Sequence, residues 1–148
     1  MFKYVLIFLL VSSSVFANEI IRPDPKLTPG VVDPNATMEK ICISGYTGTV
    51  RNVSKSKKKK VFERYGVDPK SDKFEVDHYI SLEIGGSNDI ENLWPQSYTT
   101  SPWNAHKKDR LENKLHQMVC DGIITLEQAQ KEISTDWIAA YQKYIGDK

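Results

Sequence analysis

Asp77 and His78 set a carboxylate and an imidazole side by side near the middle of this 148-residue chain. An imidazole exchanges its proton close to neutral pH, and a carboxylate offers hard oxygen atoms to a divalent cation. Phosphodiester hydrolysis makes use of both. Water must lose a proton, while negative charge builds on phosphorus and on the departing oxygen. A histidine meets the first need, and a cation held by oxygen ligands meets the others. An Asp-His pair alone is a weak signal, because most such pairs are ordinary surface charge.

The surrounding residues must place this pair. Phe74 to Ile80 alternates bulky and polar side chains and predicts a strand. Successive strand residues point to opposite faces, so Asp77 and His78 look apart unless the strand end twists. Gly85-Gly86-Ser87-Asn88-Asp89 predicts a turn or wide loop. Asn92-Leu93-Trp94-Pro95 predicts a short return strand that the proline stops, completing a hairpin. Ser101-Pro102 then predicts a helix start, with serine at the cap and proline in the first turn, running to about Val119 and broken by Asp121-Gly122. Ahead of the hairpin, Ser54 to Tyr65 predicts a helix capped by Ser54 or Ser56 and ended by Gly66. Its run Lys57 to Lys60 is the strongest positive cluster, either a solvated face or a collector of polyanion. Thr125 with Gln128 forms a capping box for another helix, and a last helix carries Trp137, Ala140, Tyr141 and Tyr144 on one side. The fold class is α+β, with a hairpin and its following helix at the centre and further helices around them.

The first residues include Lys3, an apolar run from Tyr4 to Val11, and small residues at Val15 and Ala17. This is the layout of a signal peptide over residues 1–17, and the run is shorter than the roughly 20 residues a membrane span needs. The other reading is an uncleaved anchor. Residues 18–37 hold Pro23, Pro25, Pro29 and Pro34 and form either an extended arm on the domain or a loose leader. Residues 38–148 make one domain. The expected location is secreted or periplasmic, with no membrane association after cleavage. The 20 Lys and Arg against 19 Asp and Glu become equal once Lys3 is removed, so net charge does not argue for a nucleic-acid partner and local clusters must. Two cysteines, Cys42 and Cys120, predict one disulfide in a secreted chain, the alternative being two buried thiols. Neither lies in a CxxC, which argues against a zinc knuckle.

The segment Asp77-His78-Tyr79-Ile80-Ser81-Leu82, then Gly85-Gly86-Ser87-Asn88, then Asn92-Leu93, resembles the motif of the HNH endonucleases, and especially their small secreted bacterial members. The likeness continues through Asn104, Lys107-Lys108 and Leu111-Glu112-Asn113 to Val119-Cys120-Asp121-Gly122, Ala129-Gln130 and Asp136-Trp137. It spans roughly residues 73 to 137, and more faintly Ile41 to Tyr46. The resemblance implies a ββα-metal core. It makes His78 the general base and Asp77 a metal ligand, and it gives Asn92 the task of tying the loop and orienting His78. A further ligand near the start of the helix is Asn104 or His106. At 100° per residue, Asn104, Lys108, Leu111, Leu115 and Met118 fall on one stripe, which turns Asn104 toward the hairpin and His106 away, so Asn104 is favoured. His106 stays as the alternative metal ligand, imidazole being the commoner donor.

The sequence departs from fuller versions of the motif. It has no paired histidines and no cysteine knuckles, and the gap from Asn92 to Asn104 is long. An Asp and Asn oxygen set favours one Mg²⁺ or Mn²⁺ over Zn²⁺. Lys107, Lys108 and Arg110 are candidates to grip phosphate, against ion pairing with Asp109 and Glu112. Trp94, Trp103 and Tyr98 either fill the core or stack a base, with core packing preferred for Trp94, and His116 reads as a surface helix residue. The expectation is a secreted metal-dependent endonuclease acting on DNA, or on RNA, with little sequence specificity because no separate reading module is present. The alternative is an inactive secreted nucleic-acid-binding module on the same scaffold, suggested by the balanced charge and sparse ligands. A Ser-His-Asp hydrolase is disfavoured, since no GxSxG elbow is present and Asp77 is badly placed to orient His78.

Overall fold

The computed structural model describes residues 20–146; the leader read over residues 1–17 lies outside them. The architecture is α+β. Two short helices, α1 (Met38–Ile41) and α2 (Tyr46–Val50), precede α3 (Lys55–Arg64). The Ser54 hydroxyl caps α3 by accepting the Lys57 amide at 3.2 Å. Gly66, at φ 66°, closes it, and the Val67 amide reaches back to the Phe62 carbonyl at 2.9 Å.

Strands β1 (Phe74–His78) and β2 (Leu93–Ser97) pair antiparallel, with Phe74 opposite Ser97 and His78 opposite Leu93. Pro95 does not stop β2 as expected; it sits inside the strand opposite Val76. In a two-stranded ribbon both strands are edges, so a residue without an N–H is tolerated there. Two single 3-10 turns, Leu82–Ile84 and Ile90–Asn92, build the connection.

Helix α4 (Ala105–Cys120) starts later than expected. Ser101-Pro102 is a cis peptide ahead of it, and Asn104 is the cap: its Oδ1 accepts the Lys107 amide at 3.2 Å. Helix α5 (Leu126–Tyr144) is capped by Thr125, whose hydroxyl accepts the Gln128 amide at 3.1 Å. It breaks at Asp136 (φ −162°, ψ 101°). The Asp136 carboxylate there accepts the Ile138 and Ala139 amides at 3.0 and 3.3 Å, and so caps the second half as a helix of its own.

The buried stripe of α4 is Ala105, Lys108, Leu111, Leu115 and Val119. Leu111, Leu115 and Val119 share one core with Ala129, Ile133, Trp137 and Tyr141 of α5 and with Trp94 of β2. Each such aliphatic side chain contributes about 1.5–3 kcal/mol by leaving water. The proline-rich segment lies on this body as an extended arm. Arg22 pairs with Asp136 at 3.0 Å, the Ile21 carbonyl accepts the Trp137 indole N–H at 2.9 Å, and Val32 bridges to Gly86. No helix among the described residues is long and apolar enough to cross a membrane.

Cys42 and Cys120 form a disulfide that joins the end of α1 to the end of α4 across 78 residues of chain. In the chain-entropy view a loop of this length stabilises the fold by about 4–5 kcal/mol. Replacing both cysteines by alanine is therefore expected to lower the unfolding free energy by about 2–5 kcal/mol, measured by urea denaturation. A loss below that range would mean the bridge adds little to this fold.

Candidate active site

The hairpin loop is organised around one buried amide. Asn92 is fully buried. Its Oδ1 accepts the amides of Ile80 (2.9 Å) and Val31 (3.3 Å), and its Nδ2 donates to the carbonyls of Ile80 (2.9 Å) and Ser87 (2.8 Å). All the capacity of the side chain is used, and it joins strand end, glycine loop and arm. Gly86 makes this approach possible, because a Cβ there would lie 1.7 Å from the Ile80 carbonyl oxygen. The Asn92 backbone carbonyl also receives the Tyr79 amide at 2.8 Å, which fixes the chain just after His78.

Asp77 and His78 leave β1 on opposite sides. The His78 ring is 4% exposed, and its Nε2 lies 3.1 Å from Asn88 Oδ1. The Asn88 amide is itself oriented, since its Nδ2 donates to the Val50 carbonyl (2.8 Å) and its Oδ1 accepts the Asn52 amide (3.1 Å). With an oxygen facing it, Nε2 must carry the ring proton, and the neutral ring keeps its lone pair on Nδ1. Burial pushes the imidazole below its ordinary value of 6.5, against the opposing effects of the Asn88 bond and the Asp77 charge; Arg51 and Lys108 add to the lowering. The Lys57 ammonium donates to the Asn88 backbone carbonyl at 2.8 Å, which brings the start of α3 to the same loop. Asn88 and Arg51 had no assigned role in the sequence reading. The signal for Asn88 was a side chain able to donate and accept, ten residues after His78.

On the other side, Asp77 faces α4. Lys108 is fully buried, and its ammonium donates to Asp77 Oδ2 (2.7 Å) and the His78 carbonyl (2.7 Å) and pairs with Glu112. Burial works against the Lys108 charge, but the two carboxylates outweigh it and raise its pKa; burial holds the Glu112 carboxyl up. Lys108 is thus not a surface phosphate ligand. It belongs to the inward stripe of α4, and its charge is spent on Asp77 and Glu112. Lys107 and Arg110 lie elsewhere on the helix: Lys107 is 4.9 Å from the Tyr141 ring centre and 5.7 Å from that of Trp103, and Arg110 is 5.6 Å from that of Tyr141.

Asn104 uses both polar atoms locally, with Oδ1 capping α4 and Nδ2 donating to the Thr100 carbonyl at 3.1 Å. Its backbone is extended (φ −151°, ψ 179°), so a helical phase counted from it is misplaced. His106 lies off the buried stripe of α4. It is exposed, and its ring lies 5.9 Å from that of Tyr98, just beyond β2. The Tyr98 hydroxyl donates to Glu75 Oε2 at 2.7 Å.

Where α4 meets the hairpin, Glu75, Asp77 and Asp109 act on one another through their charges. Burial raises the Glu75 and Asp109 carboxyls, and the Asp77 charge raises both further. One buried ammonium balances only part of this charge, and carboxylate oxygens are donors of the hard type. They are not drawn tightly together. Among the described residues, the group of three His, Cys, Asp or Glu donors within 4.8 Å of one another is Cys42, His116 and Cys120.

Two substitutions test these contacts by chemical denaturation. Asn92→Ala strands buried backbone groups and is expected to cost about 3–5 kcal/mol. Lys108→Met leaves two carboxylates without their cation and is expected to cost about 3–5 kcal/mol; a change within about 0.5 kcal/mol would return Lys108 to the surface class. No protein-family model, no curated protein and no solved structure matches this chain.

Proposed function

We propose that this chain is a metal-dependent endonuclease of the HNH type, with β1, β2 and α4 as its ββα-metal unit. It would act outside the cytoplasm on the phosphodiester bonds of DNA, or of RNA, with little sequence preference. The observation that carries the reading is the state of His78: a buried, neutral imidazole whose proton is held on Nε2 by an oriented amide, leaving Nδ1 basic. The motif residues around it, and the Asn92 staple that a motif asparagine makes, support the same reading. The disulfide supports an oxidising compartment.

His78 Nδ1 takes the proton from the attacking water. Asn88 Oδ1 keeps its bond to Nε2–H throughout, and the Asp77 charge favours the imidazolium that forms. Arg51 and Lys57, beside the Asn88 loop, attract the phosphate to this side, and the exposed lysines of α3 extend the positive surface. Lys107 and Arg110 remain candidates for more distant phosphates. Asp77, through Oδ1, with Asn104 or His106 and with Asp109, would hold the cation. When bound, that cation supplies the positive charge needed at phosphorus and at the leaving oxygen.

A second reading, an inactive nucleic-acid-binding scaffold, is favoured by the Lys108 ammonium on Asp77 and by the use of the Asn104 oxygen as a cap. Plasmid digestion with Mg²⁺, Mn²⁺ or Zn²⁺, with and without EDTA, separates the two. The nuclease cuts only with metal, and His78→Ala lowers the rate by about 10²–10⁴-fold with circular dichroism unchanged. Retained DNA binding with no chelator-sensitive cutting would establish the scaffold instead. The base must be neutral to work and burial lowers its pKa, so activity should persist as pH falls to 6.5 and fail only below it. An acid limb at or above 6.5 would contradict the assignment.

A further inference from the structure

Where the end of α1 meets the end of α4, Cys42, His116 and Cys120 each place a ligand-type atom within 4.8 Å of the others. His116 and Cys120 are an i, i+4 pair, so both project from one face of a rigid helix. Cys42 approaches from α1, its Cα 5.7 Å from that of Cys120. His116 is not a bare surface residue: its Nε2 lies 3.0 Å from the Ile41 carbonyl oxygen and 3.5 Å from Cys120 Sγ. Glu83, in the turn Leu82–Ile84, lies outside that 4.8 Å group but has a buried Oε2 with no hydrogen-bond partner. Burial raises its carboxyl, and of the charges acting on it that of His116 is the largest. A buried carboxylate oxygen lacking a donor is costly and calls for a physical reason.

We propose that the reduced chain binds one Zn²⁺ here, through the thiolates of Cys42 and Cys120, the His116 imidazole and, after a side-chain shift, the Glu83 carboxylate, and that disulfide formation expels the ion. Two sulfurs, one nitrogen and one oxygen make a tetrahedral set that zinc accepts, and the thiolates select it over Mg²⁺ or Mn²⁺. A Zn–S distance of about 2.3 Å sets the sulfurs roughly 3.7 Å apart, which side-chain rotation reaches with both Cα atoms in place. Opening the bridge takes a reductant of the dithiol class. Its two sulfurs join, and the two electrons and two protons it gives up convert Cys42 and Cys120 to thiols. Zinc binding then releases both thiol protons to solvent, and His116 exchanges its Ile41 contact for the metal. In the reverse direction a disulfide oxidant takes two electrons from the thiolates, departs as two thiolates, and Zn²⁺ leaves as the S–S bond forms. None of these residues belongs to the Asp77–His78 site, so this proposal does not depend on the nuclease reading.

Cobalt is the probe. Co²⁺ added to the full chain under a phosphine reductant should give one equivalent of tetrahedral d–d absorption with a thiolate-to-metal charge-transfer band, both displaced by Zn²⁺. The oxidised chain should show no such band. His116→Ala and Glu83→Ala, each reduced, should weaken Co²⁺ binding by about tenfold or more. The proposal is overturned by a reduced chain without the charge-transfer band, or by undiminished affinity in either variant. It is also overturned if circular dichroism shows that the chain binds Co²⁺ only after losing its helices.

Discussion

The Asn92 side chain is the constraint on which the rest of the site depends. Three backbone segments cannot be brought to one point in a protein interior without exposing polar groups to an apolar environment, unless something answers each donor and acceptor. One buried amide does so for Ile80, Ser87 and Val31 together. Glycine at position 86 is the complement, because only a residue without a Cβ lets the loop close on the Ile80 carbonyl. With the loop fixed, the register of β1 against β2 is fixed, and with it the divergence of Asp77 and His78. A one-residue slip would exchange the two side chains between α4 and the Asn88 loop.

The two sides of β1 then acquire different electrostatics. The His78 ring meets the Asn88 amide, and burial lowers its pKa. Asp77 meets a buried ammonium shared with Glu112. Such an arrangement adds little stability relative to apolar packing, but removing one member is severe. It also sets up a competition: Lys108 holds Asp77 in position while supplying positive charge that a metal would otherwise supply. The proposed enzyme and the inactive scaffold differ in how that competition ends.

Much of the fold was legible in the sequence because it rests on local chemistry. The Ser54 and Thr125 caps, the Gly66 stop, the glycine loop and the pairing of the only two cysteines follow from residue type and short spacing. What was missed depends on tertiary placement. Asn104 and Ser101 are comparable caps in isolation, and the sequence contains no local rule that chooses between them; with Asn104 as cap the helix begins at Ala105 and not at Pro102. Lys108 was placed on the apolar stripe yet read as a phosphate ligand, two roles that burial makes incompatible. Asn88 gained its role only when the segments carrying Val50, Asn52 and Lys57 closed around it.

Asn88 holds His78 as the Nε2–H tautomer, with Nδ1 as the basic atom and a pKa lowered by burial. Long-range ¹H–¹⁵N correlation of the His78 imidazole across a pH series measures this directly. The expected result is a protonated Nε2 and an unprotonated Nδ1 at neutral pH, with titration below 6.5. A proton on Nδ1 in the neutral ring, or titration at or above 6.5, would contradict it.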